Sequence, residues 1–499
     1  MGLTPIDWLI VGLYLTGVTV AGIVIARRQR TTVEYFLGGR TLPWWAVGCS
    51  IVASETSTLT FISVPGLAYR GDMHFLQLAF GYFAGRVLVS LLLIPAYYRG
   101  HLETAYEFLG NRFGYSLRAT ASSVFLVTRV LASGVRLFAT AIPVHLITGL
   151  DYWICIGLVG MFTLLYTAVG GLKAVVAMDV AQLCIYLLGA GATMWFILHG
   201  LPDGWSSVVA ASAASATNKF EVVNTSWGTS ILSFLSTPYT LLGAVVGGTF
   251  LSMASHGTDQ LLVQRLLGCR SQRDSQRALM LDASLIVLQF AFFLLLGICL
   301  YAFYGGATVQ QLGLRSPDEI FPKFIVEQLP RGLSGLLVAA ILASAMGTLS
   351  SSISSLASSS FLDIVRHTRI GKALDAAGQL RWSKLLTLFW GAVLIAGALL
   401  FTDTSNPVVE IGLKIASVTY GGLLGMFFLG LLARSASIAD AYAGFIAGLS
   451  TMIAVILLTT IDYTWHTCIG CLITIVVGLV SAKIRTFRGG RRVGTRFPA

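Results

Sequence analysis

The sequence predicts an all-α protein that crosses a membrane many times, and three observations lead to this fold class. Of the 499 residues, 56% are hydrophobic and 11% are charged, and the mean hydropathy is +0.80, whereas a soluble chain carries about 25% charged residues. Apolar windows long enough to cross a bilayer recur along the chain. Basic residues gather in alternate loops between these windows. The net charge of +11 is therefore expected to face anionic lipid rather than nucleic acid.

The apolar windows predict about 13 membrane-spanning helices. They run over about 6–26, 44–70, 75–98, 119–147, 151–169, 174–199, 237–257, 278–304, 333–362, 382–402, 408–432, 438–460 and 465–484. The basic loops place the N-terminus outside and the C-terminus in the cytoplasm, as in a multi-pass protein of the plasma (inner) membrane. One transporter domain is expected over 1–485, followed by a basic tail over 486–499. No Walker A motif occurs, so ATP-driven pumping is not expected.

The second predicted span carries a polar run, ASETSTLT, from Ala53 to Thr60. A carboxylate within the bilayer is costly unless it faces a cavity or a partner, and Ser and Thr compete for the hydrogen bonds of a helix. The run therefore predicts a broken membrane helix whose free carbonyls and hydroxyls hold an ion or a solute. A packed polar contact between helices is the alternative.

Two further stretches offer oxygen ligands. Ser344 and Thr348 are four residues apart and share one helix face, and hydroxyls opposite freed carbonyls suit a hard monovalent cation. A face of small residues that packs against another helix would give the same pattern. Asp179 sits about one turn into its span, so it is either an interfacial carboxylate or a charge near a cation site.

Three motifs give the chain a resemblance to a known family. They are YTAVGGLKA over 166–174, followed by Asp179 and Gln182; HGTDQLLVQR over 256–265; and GGRTLPWW over 38–45. With them the chain resembles the sodium:solute symporter family over about residues 5–485. The resemblance implies a five-plus-five inverted-repeat core, similar to LeuT, with one extra helix before it and two after. The repeats would cover about 44–199 and 237–432.

The resemblance also implies a sodium site between the broken helix and the helix that carries Ser344. Its positions correspond to Ala53, Thr56, Ser344, Gly347 and Thr348, with Asp179 as the nearby carboxylate. Many family members carry a hydroxyl where this chain has Gly347. Sodium could therefore bind more weakly, recruit water or be replaced by a proton.

The solute is expected beside the sodium site. Arg136 falls roughly where sialic-acid-transporting members place a carboxylate-binding arginine, and an arginine offers bidentate recognition. Lys414 falls where sugar-transporting members place a glutamine, whereas Arg129 and Lys414 could instead snorkel or pair with acids. Glu55 could contact sodium, bind a substrate amine, be protonated or cap the broken helix. The candidate solute contacts are Glu55, Ser57, Thr60, Gln77, Arg136 and Lys414.

These residues predict a sodium-coupled secondary active symporter that imports a small organic solute, bearing a carboxylate, by alternating access. Enzyme activity is not expected, because no catalytic or metal-binding constellation falls at one membrane depth, and the histidines are expected to have ordinary roles. Gly347 leaves open a proton-coupled or uncoupled transporter of the same fold. A transport-like solute sensor is a further alternative, which the lack of a signalling domain disfavours.

Overall fold

The computed structural model describes residues 3–25, 29–400 and 408–488, and their side chains except those at 59, 408–416 and 488. Every regular element in this described part is helical, and it contains no strand. The α-helices are α1 (Pro5–Ile25), α2 (Thr32–Leu37), α3 (Trp44–Glu55), α4 (Thr58–Arg70), α5 (Leu76–Leu92), α6 (Ile94–Arg99), α7 (Ala105–Phe113), α8 (Tyr115–Thr148), α9 (Tyr152–Gly200), α10 (Trp205–Ala213), α11 (Ile231–Ser236), α12 (Leu241–Gly257), α13 (Gln260–Leu267), α14 (Gln272–Phe303), α15 (Ile320–Glu327), α16 (Leu333–Ser359), α17 (Arg369–Ala373), α18 (Ala376–Leu399), α19 (Val408–Leu432), α20 (Ile438–Leu458) and α21 (Tyr463–Arg488).

The prediction of an all-α membrane protein is confirmed. Within the described ranges, nine helices are long and apolar enough to cross a bilayer, and the bent pair α3 and α4 would make a tenth. Two more apolar helices, α12 and the segment Ser417–Leu432, are shorter. The number of 13 spans and the inverted repeat stay predictions.

Helix α9 contains both windows that the sequence assigned to separate spans. Its 49 residues are interrupted at Gly171, where φ is 56° and ψ is −163°. A side chain is strained in this left-handed region, and a Cβ there would lie 2.6 Å from the carbonyl oxygen of Tyr35. The break therefore needs glycine, and it divides α9 into two helical segments.

The polar run in the second predicted span breaks the helix as expected. Helices α3 and α4 meet at an angle of 61°, and the backbone leaves the helical region at Thr56 (ψ 81°) and Ser57 (ψ 167°). The hydroxyls of Ser54 and Thr56 donate to the carbonyls of Ser50 and Val52, at 2.7 Å each, which is the local competition typical of these residues.

Helix α16 lies at the centre of the fold and is almost wholly buried. It packs against α9, α1 and α8 and also contacts both halves of the broken pair. Its many serines, alanines and glycines allow such close approach on several sides. The hydroxyl-rich face of α16 is thereby held against the break between α3 and α4.

Candidate sodium and solute site

The hydroxyls of α16 reach the end of α3. Thr348 Oγ1 lies 3.2 Å from the carbonyl oxygen of Ser54, and Ser344 Oγ lies 3.2 Å from Thr58 Oγ1 at the start of α4. The hydroxyl of Thr56 accepts a hydrogen bond from Gln289 Nε2 at 2.6 Å. The last carbonyls of a helix have no hydrogen-bond partner in a following turn. The carbonyl oxygens at the end of α3 and the hydroxyls of α16 therefore meet at the break.

Gly347 leaves a gap that oxygen atoms face. A Cβ at this position would lie 2.9 Å from Gln182 Oε1 and 3.5 Å from both the Ala53 carbonyl oxygen and Asp179 Oδ1. Asp179 Oδ1 is buried and has no hydrogen-bond partner among the described residues. A carboxylate, a carbonyl and an amide oxygen around one gap are the ligands that a hard cation prefers. The residues present therefore fit a sodium ion.

Asp179 is deeply buried and is not an interfacial carboxylate. Its Oδ2 accepts hydrogen bonds from Ser50 Oγ at 2.5 Å and from Arg265 Nη2 at 3.0 Å. The same guanidinium donates to Ser351 Oγ at 2.5 Å. This ion pair ties α9 to α3, α13 and α16, while Oδ1 remains directed at the Gly347 gap.

A cavity of about 130 Å³ opens beside the break. Of the predicted solute contacts, Glu55, Ser57, Thr60 and Arg136 line it. Gln77 does not lie among the described lining residues, because its amide donates to the carbonyl of Tyr239 at 2.9 Å and accepts from the backbone of Asn224 at 3.2 Å. Lys414 belongs to α19, but its side chain lies outside the described residues.

The two arginines of α8 that line this cavity differ in their partners. Arg129 forms an ion pair with Asp259 and donates to the hydroxyl of Tyr420 at 3.1 Å, and this acid lies outside the predicted spans whose acids the sequence offered as partners. The guanidinium of Arg136 forms no ion pair or hydrogen bond with any residue that the structure describes; only its backbone carbonyl accepts a side-chain hydrogen bond, from Thr140 Oγ1 at 3.0 Å. A guanidinium that is half-buried and unpaired is costly in a membrane, and it is therefore suited to an anion.

Glu55 belongs to a group of four ionisable residues that sequence reasoning missed. This four-residue cluster consists of Glu55, Arg86, His256 and Asp282. Arg86 pairs with both carboxylates, and His256 Nε2 lies 3.2 Å from Glu55 Oε1 and 3.4 Å from Asp282 Oδ2. The available signal was Arg86, a cation inside an apolar span.

Three members of the four-residue cluster, Glu55, His256 and Asp282, are close enough to hold a metal ion. However, the guanidinium of Arg86 already lies against both carboxylates, with Nε 2.5 Å from Asp282 Oδ2. It supplies the positive charge that a metal would bring. Glu55 is accordingly paired with Arg86 and lies beside His256, and it is not a free acceptor for a substrate amine.

Comparisons with known proteins identify the family of the chain. The family model described as "Sodium:solute symporter family" matches residues 35–448. The sodium/sialic acid symporter SiaT of Proteus mirabilis is 28% identical over 94% of this chain and 93% of its own length. The human sodium/iodide cotransporter is 30% identical over 87% of this chain and 66% of its own.

Solved structures show the same fold. A Na⁺-coupled sialic acid symporter, in a substrate-bound outward-open state with a novel Na⁺ site, superposes with a TM-score of 0.86 at 26% identity. The superposition covers 96% of this chain and 98% of that one. Mhp1, a nucleobase-cation-symport-1 family transporter, matches in fold with a TM-score of 0.53 at 13% identity, over 93% of this chain and 96% of its own. With most of its length matched, the chain belongs to the sodium:solute symporter family and uses Na⁺ as its coupling ion.

Proposed function

We propose that the chain imports a small organic solute bearing a carboxylate, together with Na⁺, across the inner membrane by alternating access. The observation that carries the proposal is Arg136, a cation without a described partner that lines the cavity next to the broken helix. An arginine in such a place can bind a carboxylate through two parallel hydrogen bonds. Sodium/sialic acid symporters of Proteus mirabilis and Aliivibrio fischeri are among the similar proteins, which supports the same class of solute.

The Na⁺ site would join the broken helix to α16. The carbonyls of Ala53 and Thr56, the hydroxyls of Ser344 and Thr348, and Asp179 would surround the ion beside Gly347. Gln182 is added to this set because its Oε1 faces the same gap. An ion held there fixes α3 and α4, whose residues Glu55, Ser57 and Thr60 form one wall of the cavity. Ion and solute then stabilise the same arrangement, which is the origin of their coupling.

The existing partners of Glu55 favour an anion over an amine as the solute. Its carboxylate already meets Arg86 and His256, and Arg129 is matched by Asp259. Arg136 is therefore the cavity-lining charge with the most to gain from a ligand. Serine and threonine hydroxyls at positions 57 and 60 would suit the hydroxyl or amide groups of a polar solute.

Thermal unfolding of the purified protein tests the proposal. The solutes are sialic acid and pyruvate, each compared with its methyl ester, in NaCl and in choline chloride. A ligand that binds only the folded state raises the melting temperature, so we expect a rise for a free carboxylate in NaCl alone. An equal rise with the ester would refute carboxylate recognition, and an equal rise in choline would refute the coupling.

Substitution of Gly347 tests the position of the ion. In Gly347→Ala, the added Cβ would occupy the gap that Ala53, Asp179 and Gln182 face, so we expect the half-saturating Na⁺ concentration to rise about tenfold, or about 1.4 kcal/mol. Gly347→Ser adds the same Cβ together with a hydroxyl ligand, and we expect it to lose less affinity for Na⁺. Equal Na⁺ dependence in the wild type and the alanine variant would place the ion elsewhere.

A further inference from the structure

The four-residue cluster of Glu55, Arg86, His256 and Asp282 is largely buried, and it borders the cavity through Glu55 and His256. Arg86 and Asp282 are fully buried, His256 is 1% exposed, and the Glu55 side chain is 20% exposed towards the cavity. Its members come from four helices, α3, α5, α12 and α14. Any unbalanced charge in it is costly, because water is not available to solvate the charge.

The charges of this cluster balance only if it holds one additional proton. Two carboxylates and one guanidinium leave a net charge of −1 when His256 is neutral. Protonation of the imidazole brings the sum to zero. A buried group of opposite charges is stable when it is both paired and hydrogen-bonded, so a proton here removes an uncompensated negative charge.

The hydrogen bonds of His256 indicate where the proton would go. Its Nδ1 lies 2.9 Å from the hydroxyl of Ser255 and 3.2 Å from the carbonyl oxygen of Ser252, so a hydrogen on Nδ1 has an acceptor when Nε2 also carries one. Its Nε2 faces Glu55 Oε1 at 3.2 Å and Asp282 Oδ2 at 3.4 Å. Neither oxygen of Asp282 receives a hydrogen bond of good geometry from the described residues. A hydrogen on Nε2 would supply a donor to these carboxylates.

Arg86 can accommodate either state of the histidine. Its Nε lies 3.2 Å from His256 Nε2 and 2.5 Å from Asp282 Oδ2. With a neutral imidazole its hydrogen can go to Nε2, and with a protonated imidazole it can go to Asp282. The guanidinium thus gives the cluster two alternative hydrogen-bond patterns that differ by one proton.

The other titratable or charged groups that face this cluster do not add a positive charge to it through an ion pair. Cys49 of α3 faces Asp282, and Tyr82 of α5 lies with its ring centroid 5.7 Å from the Arg86 guanidinium carbon. Arg136 of α8 faces Glu55 across the cavity without an ion pair.

We infer that the four-residue cluster binds one proton, held between His256 Nε2 and Asp282 Oδ2, and that this proton holds the broken end of α3 in place. Glu55 is the last residue of α3, directly before the break. When the proton leaves, the negative charge remaining beside Glu55 loosens the helix end that borders the cavity. The cluster is thus a proton-binding site that responds to pH without any solute.

The test is thermal unfolding of the purified full-length protein between pH 6 and pH 9, at fixed NaCl and without solute. We expect the wild-type melting temperature to fall by about 3 °C as the pH rises and the proton is lost. The melting temperature of His256→Gln should be low and independent of pH, because glutamine cannot carry the charge. The melting temperature of Asp282→Asn should be high and independent of pH, because the charges of Glu55 and Arg86 then balance without a proton.

The double variant His256→Gln/Asp282→Asn provides a second test, which can be measured even if the single histidine variant fails to fold. It restores the charge balance, so it should melt higher than His256→Gln at every pH. His199→Gln, which changes an exposed histidine at the end of α9, should keep the wild-type pH profile. The inference is overturned if Asp282→Asn keeps the wild-type pH dependence, or if the double variant is no more stable than His256→Gln. Carboxylate recognition is not involved in any of these measurements.

Discussion

Replacing Arg136 with glutamine is expected to weaken solute binding about 30-fold or more. Removing one partner of a desolvated charge pair costs about 2–5 kcal/mol, and each 1.4 kcal/mol is a factor of ten in affinity. Because no described residue forms an ion pair with Arg136, the substitution leaves no protein charge newly unpaired. The apparent KM for a carboxylated solute should therefore rise while the protein remains folded.

The matched variant is Arg136→Lys, which keeps the charge but loses the planar fork of the guanidinium. Its apparent KM for a free carboxylate should lie between those of the wild type and Arg136→Gln. Na⁺-dependent uptake into proteoliposomes provides the measurement, with a methyl ester as the solute that cannot use the charge. If Arg136→Gln transports the free carboxylate with an unchanged KM, then the solute does not bind through this arginine.

Replacing Asp179 with asparagine should remove the response to Na⁺ and also destabilise the protein. The side chain faces the Gly347 gap with Oδ1 and Arg265 with Oδ2, and both members of the ion pair are fully buried. Breaking a buried pair leaves an uncompensated charge that costs about 3–5 kcal/mol. The two effects need to be separated, because a misfolded transporter would also fail to respond to sodium.

The double variant Asp179→Asn/Arg265→Gln achieves this separation. It removes both charges, so we expect its melting temperature to recover most of the loss while the shift caused by Na⁺ stays absent. Asp363→Asn is the control, since it breaks another buried pair with Arg118, 2.8 Å apart, and should lose stability but keep the Na⁺ response. A Na⁺ shift of wild-type size in the double variant would show that Asp179 does not act on the ion.

The sequence predicted those site features that depend on neighbours along the chain. The run from Ala53 to Thr60 contains enough competing hydroxyls to interrupt a helix, and the break lies within it. The spacing of Ser344 and Thr348 places both on one helix face, and both contact the broken pair. Arg136 was placed by resemblance, and it lines the cavity.

Features that depend on distant partners could not be predicted in this way. Arg86 contacts Glu55, which is 31 residues away in the sequence, and His256, which is 170 residues away. The sequence around each of these residues gives no sign of the other two. Gln77 looked like a free polar contact, but tertiary hydrogen bonds to the chain near Tyr239 use its amide.

In the proposed mechanism, Na⁺ bound between the broken helix and α16 drives entry of a carboxylated solute. The most direct test is uptake of labelled sialic acid or pyruvate, whichever raises the melting temperature in NaCl, into proteoliposomes containing the wild type or Thr348→Ala. We expect accumulation above the external concentration only with an inward Na⁺ gradient, and a higher Na⁺ requirement in the variant. Accumulation driven by a pH gradient without Na⁺, or an unchanged Na⁺ requirement in Thr348→Ala, would contradict it.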